Sequence, residues 1–173
     1  MNLGLTQNHF ELLGLPLAYR VDPAGLESAY RALQSRVHPD RFAAATEAER
    51  RVAMQWATRA NEAYRTLRDP VDRARYVLLL KGFDTYEESN TAMPADFLMQ
   101  QMEWREAVAE KRAGKDEAGL AALREELRAE RAGMLRQLER AIDTDANYDA
   151  GCSLVRKLRF LEKLDEEIEE ALA

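Results

Sequence analysis

Cysteine is almost missing from this chain: Cys152 is the only one in 173 residues. A disulfide framework and a cysteine-based zinc site are both excluded by that count. Two histidines, His9 and His38, leave too little material for a histidine metal centre. Eight glycines and five prolines are few for this length, which argues against a sandwich or barrel full of tight turns. No apolar run approaches the ~20 residues that a membrane helix needs. The first ten residues lack the basic and apolar regions of a secretory signal, so the cytoplasm is the expected compartment. No glycine-rich phosphate loop, HExxH helix or nucleophile elbow is present.

What the chain has is helix-forming material. Ala, Leu, Glu and Arg dominate; 46% of residues are hydrophobic and 32% charged, the balance of a soluble globular protein. The net charge of −6 is uneven. Residues 1–75 hold 11 Lys/Arg against 9 Asp/Glu, and residues 76–173 hold 14 against 22. An acidic second half is a poor match for nucleic acid, whose binding needs a basic face.

Caps and periodicity set the helices. Phe10, Leu12 and Leu13 form a short segment closed by Gly14 and Pro16. Asp22-Pro23 opens a helix whose apolar residues Leu26, Tyr30, Leu33 and Val37 share one face. Pro39 ends it by Val37 or His38. Thr46-Glu47-Ala48-Glu49 fits a capping box, followed by Val52, Trp56, Ala60, Ala63, Tyr64 and Leu67 on one face. Asp69-Pro70 breaks that helix and opens another, through Leu80, with Gly82 as a C-cap. Residues 82–94 read as a linker. Three long helices follow, over about 94–112, 116–142 and 145–172, joined by short connections that imply antiparallel neighbours. The organisation expected is all-α: 1–81, a linker at 82–94, and a helical bundle at 95–173.

Most single candidates for chemistry have bland explanations. Cys152 stands at helical spacing from Tyr148 and Val155 and reads as a small core residue. His9 reads as a surface residue at a helix start, and Asp165–Glu170 as a solvated face. The sharp feature is His38-Pro39-Asp40, between two well-signalled helices. Proline fixes its own φ and donates no hydrogen bond, so an imidazole and a carboxylate are presented at a stiff corner. No further ligands lie nearby in sequence, so no metal site is expected.

The third helix after the corner, residues 94–112, carries a second feature. With Phe97 as reference, Trp104 and Val108 fall within roughly 20° of it and form a core stripe. Leu98 and Met102 then stand roughly 100–140° away, and Met99, Glu103, Glu106 and Glu110 roughly 180–240° away. Phe160 stands roughly 100° from the core residue Leu161. Leu98, Met102 and Phe160 can pack against neighbouring helices; alternatively they join Met99 in an apolar patch with an acidic rim, a docking surface.

The pieces His9-Phe10-Glu11-Leu12-Leu13-Gly14-Leu15-Pro16, His38-Pro39-Asp40-Arg41-Phe42, Asn61-Glu62-Ala63-Tyr64-Arg65-Thr66-Leu67 and Arg156-Lys157-Leu158-Arg159-Phe160-Leu161 stand in a familiar order. The first three resemble the J domain of co-chaperones. With the fourth, the chain as a whole resembles HscB, the J-protein family of iron–sulfur cluster assembly. Arg41 stands where lysine is common and Met102 where leucine is familiar; charge and apolar contact are both kept. The cysteine-paired zinc extension of some eukaryotic relatives is absent.

That resemblance implies an N-terminal J domain, a helical hairpin with the HPD loop, joined to a C-terminal three-helix bundle in an L shape. It implies docking on an HscA-type chaperone ATPase of the seventy-kilodalton class through His38, Pro39 and Asp40, with Arg31, Arg36 and Arg41 meeting an acidic surface. It also implies that Leu98, Met99, Met102, Glu103, Glu106, Glu110 and Phe160 bind an IscU-type scaffold protein. The partner does the chemistry, so no catalytic residue and no cofactor is expected in this chain. The oligomeric state is left open. A generic J-protein with another client is the alternative reading. A helical hydrolase or metal enzyme using His38 and Asp40 is the rival from another class.

Overall fold

The computed structural model describes residues 6–86 and 93–173, and all regular elements among them are helical. Residues 87–92 of the expected linker lie outside the described residues. The chain divides into two compact units, residues 1–77 and 78–173.

In the first unit α1 (His9–Leu13) starts at Asn8 with a reciprocal capping box to Glu11 and stops at Gly14, whose φ of 67° is the left-handed conformation of a C-cap. Helix α2 (Pro23–Val37) has Asp22 as N-cap and proline at its first position. A single 3₁₀ turn (Pro39–Phe42) follows. Helix α3 (Glu47–Arg68) opens on the Thr46–Glu49 capping box. Helix α4 (Pro70–Leu80) begins directly after Asp69, whose carboxylate accepts from the Val71 and Asp72 amides at 2.9 and 2.8 Å.

The core of this unit joins Phe10, Leu12 and Leu13 to Leu26, Leu33 and Val37 of α2, to Trp56, Ala60, Ala63 and Leu67 of α3, and to Val71 and Ala74 of α4. The α2–α3 hairpin is also braced on its outside. Tyr30 stacks on Tyr64 at 4.2 Å between centroids, the Tyr64 hydroxyl donates to Glu27, and the Tyr30 hydroxyl donates to Asn61. The Tyr64 hydrogen bond and Arg31 together hold the Glu27 carboxyl below the usual carboxylate range. Arg73 donates to the Tyr19 and Leu67 carbonyls at 2.6 and 2.7 Å and lies over the Tyr19 ring.

Two expectations for this unit change. Val52 leaves the α3 core stripe: it is 50% exposed, and Ala53 is buried in its place. The buried face of α3 thus shifts by one position at its first turns, where Ala53 rather than Val52 turns inward. His9 is not a free surface residue. Its ring stacks on Tyr76 at 4.3 Å, and its backbone N–H donates to the Tyr76 hydroxyl at 2.9 Å. Burial lowers the His9 pKa, against an upward pull from Glu62 and with a smaller downward push from Arg59.

In the second unit α5 (Ala95–Ala113), α6 (Glu117–Glu139) and α7 (Tyr148–Leu172) pack as a three-helix bundle. Asp116 caps α6 by accepting from the Gly119 amide at 2.8 Å, and Asn147 caps α7. Phe97, Trp104 and Val108 of α5 meet Leu120, Leu123 and Leu127 of α6 and Leu161, Leu164 and Ile168 of α7, as the periodicity predicts. Cys152 is buried here, and burial raises its thiol pKa. Arg124 of α6 grips α7 with a fork to both Asp165 oxygens (2.7 and 3.0 Å) and a bond to Glu169 at 2.9 Å. That hydrogen-bonded ion pair pushes Asp165 down and Arg124 up. The end of α6 differs from the expected single helix to 142: it widens into a π turn, Arg140–Thr144, which buries Ala141 and Ile142.

Candidate functional site

The corner between α2 and α3 is built by its own sequence. Pro39 excludes the α-region for His38, which takes φ −61°, ψ 134° and ends α2. The Arg41 amide then donates to the His38 carbonyl at 3.0 Å and closes the 3₁₀ turn. The Asp40 amide donates to His38 Nδ1 at 3.2 Å, and the Asp40 carboxylate lies 3.6 Å from the same nitrogen. With Nδ1 engaged by the turn, Nε2 is the nitrogen left to donate to a partner. The His38 side chain is 52% exposed and that of Asp40 93%. An imidazole donor and a carboxylate acceptor are thus displayed side by side on a turn with little freedom to lose.

Of the arginines expected around the corner, Arg31 is held by Glu27 at 2.8 Å one turn earlier on α2. Arg41 sits in the 3₁₀ turn and Arg36 on the last turn of α2. Gln34, Ala57 and Asn61 are not among the site residues expected from the sequence. With His38 and Pro39 they line a shallow hollow of about 220 Å³ beside the corner. Small residues on α3 at the level of a helix-ending proline are the signal that could have found it.

The second candidate surface lies in the bundle. Met99 and Met102 are 65% and 71% exposed, Leu98 is exposed beside them, and Glu103, Glu106 and Glu110 are exposed on the same helix. Met102 therefore stands clear of the bundle core, while Leu98, at 39% exposure, is partly covered. Phe160 is different. It is half-buried, edge-on to Phe97 at 6.0 Å and stacked on Trp104 at 6.3 Å. The Arg105 guanidinium stands 5.2 Å over its ring and is tied to Glu167 at 3.3 Å. Phe160 is a flanking core aromatic whose ring is fixed against α5, the helix that bears the methionines. Among the described residues, no group of three or more His, Cys, Asp or Glu could hold a metal ion, and no helix is long and apolar enough to cross a membrane.

Comparison with known proteins matches this geometry to one family. Residues 93–169 match the family model described as the HSCB C-terminal oligomerisation domain. The co-chaperone protein HscB homolog of Burkholderia multivorans is 51% identical over 166 residues, covering 96% of this chain and 94% of the relative. That of Bordetella pertussis is 53% identical over 164 residues, covering 95% of each. Among solved structures, chaperone HscB from Vibrio cholerae superposes with a TM-score of 0.82 at 41% identity, covering 95% of this chain and 96% of that one. The human co-chaperone HscB reaches a TM-score of 0.90 at 28% identity, covering 96% and 83%. These neighbours share the all-α plan of a J domain followed by a C-terminal helical bundle. With half of its residues identical to these relatives over nearly the full length of both chains, this chain belongs to the HscB co-chaperone family.

Proposed function

We propose that this co-chaperone stimulates the ATPase of an HscA-type chaperone of the seventy-kilodalton class and delivers an IscU-type scaffold protein to it during iron–sulfur cluster maturation, in the cytoplasm. The observation that carries this reading is the exposed His38–Asp40 pair on its proline-stiffened turn. Asp40 supplies a carboxylate for an arginine of the ATPase, and His38 an N–H donor. Pro39 lowers the ordering cost of docking, and Arg31, Arg36 and Arg41 attract an acidic surface. The hydrolytic chemistry is the partner's, and this chain holds neither cofactor nor cluster.

The scaffold docks on the second unit. Leu98, Met99 and Met102 supply apolar contact area and Phe160 an anchored aromatic edge, while Glu103, Glu106 and Glu110 set register and encounter rate. Carrying both surfaces on one chain raises the effective concentration of scaffold at the chaperone. An ATPase assay of the chaperone with this chain, with and without scaffold, tests the reading. The expected result is stimulation by the chain, increased further by scaffold. His38→Gln abolishes the first effect with the fold intact, and Met99→Asp removes the second while leaving the first. Stimulation by the His38→Gln chain at the unsubstituted level overturns the chaperone assignment.

A further inference from the structure

Burial divides the methionines of this chain. Of the six, Met1 lies outside the described residues. Met93 is buried, and Met134 packs half-covered against the bundle core. Met54, Met99 and Met102 stand in water at 64, 65 and 71% exposure. Met54 belongs to α3 in the first unit. Met99 and Met102 lie one turn apart on α5, beside Leu98.

Exposed thioether sulfur is open to oxidants of the peroxide class. The thiol that could compete is Cys152, which is 4% exposed. Burial also raises its pKa, so little of the reactive thiolate is present. In the methionine reaction the sulfur attacks one peroxide oxygen. The O–O bond breaks, an S–O bond forms, and the second oxygen leaves as water. Sulfur gives up two electrons and the peroxide takes them. A dithiol reverses the step: the sulfoxide oxygen leaves as water while two thiols close into a disulfide.

The product changes what α5 presents. A thioether is apolar and pliant, whereas a sulfoxide is polar and chiral. On the free helix its oxygen is hydrated and the fold loses nothing. Under a docked partner that oxygen is stripped of water and needs a donor. The exposed side chains along the same helix, Glu103, Glu106 and Glu110, carry carboxylates, which only accept. The Gln100 amide is turned toward Glu103 at 3.3 Å.

We propose that Met99 and Met102 form a reversible oxidation site, at which a peroxide-class oxidant releases the scaffold protein from α5 and a dithiol reductant restores its docking. This inference rests on the scaffold-docking reading and adds a control to it.

The test treats the full chain with hydrogen peroxide, destroys the excess with catalase, and only then adds scaffold. Peptide mapping by mass spectrometry follows oxygen uptake, and Met54, Met99 and Met102 gain oxygen before Met93 and Met134. The scaffold concentration that half-saturates the chain then rises roughly tenfold or more. Methionine sulfoxide reductases supplied with a dithiol return it to its starting value. A chain carrying both Met99→Leu and Met102→Leu is compared with itself before and after peroxide. Whatever its starting affinity, treatment leaves that affinity in place although Met54 is oxidised. Unchanged scaffold affinity after full oxidation of Met99 and Met102 overturns the control. So does an equal loss in the doubly substituted chain, or oxygen uptake at Met93 that keeps pace with Met99. Untreated chain that fails to bind scaffold, or that binds it as well with Met99→Asp, overturns the docking reading instead.

Discussion

At the residue scale, exposure separates side chains that hold the fold from those proposed to meet partners. Leu164 is fully buried between the helices of the bundle. Leu164→Ala should cost about 2–5 kcal/mol through lost burial and the cavity left behind, read as a lowered urea midpoint. His38, half in water, follows the opposite rule: His38→Gln should change stability by no more than about 0.5 kcal/mol in the same measurement. The sequence made most of these assignments legible, because Leu164 falls on a helical period and His38 precedes a proline. It mislaid His9 and Val52. The Tyr76 ring that covers His9 is 67 residues away in sequence. Val52 sits where two adjacent positions, 52 and 53, fit one stripe about equally, and only the packed partner decides between them.

At the element scale, helix ends were the easiest to read and helix interiors with non-standard winding the hardest. Asn8, Asp22, Thr46 and Asp116 all act as the N-caps their types favour. Asp22→Ala removes the acceptor for the Gly25 amide at 3.0 Å. It should lower the stability of the first unit by about 1 kcal/mol, visible as faster hydrogen exchange at the start of α2. The π turn at Arg140–Thr144 and the left-handed Ala146 (φ 48°) were not legible, since a 3.6-residue period carries no mark of one extra residue in a turn. The patch on α5 was legible for the converse reason. Leu98, Met99 and Met102 break the apolar period set by Phe97, Trp104 and Val108, and residues that break a period without being buried point to a partner. That Phe160 is held by Trp104 and Arg105 required the packing of α7 on α5, which no single-helix projection contains.

At the scale of the molecule, the two units should respond to acid at different points. His9, in the first, has its folded pKa lowered by burial. Its contribution is complete above the unfolded value of about 6.5 and is lost as pH falls through that value toward the folded one. Asp165, in the second, is lowered by Arg124. Its contribution is complete above about 3.9 and is lost only as pH falls further. Urea melts followed by NMR should therefore show the first unit weakening between about pH 7 and pH 5 while the second holds. His9→Asn should flatten that slope in the first unit alone. A shared transition that moves equally for both units at pH 5 would contradict this division.

The chain's two tryptophans are segregated: Trp56 lies in the first unit, on α3 and lining one hollow with Val37 and Phe42, the residues on either side of the His38–Arg41 turn, and Trp104 in the second, stacked on Phe160. Each indole is thus a built-in optical reporter for a different surface. Replacing either one with phenylalanine leaves a chain whose own indole emission reports on one surface alone, so the proposed docking of the ATPase and that of the scaffold can be timed separately without attaching a dye.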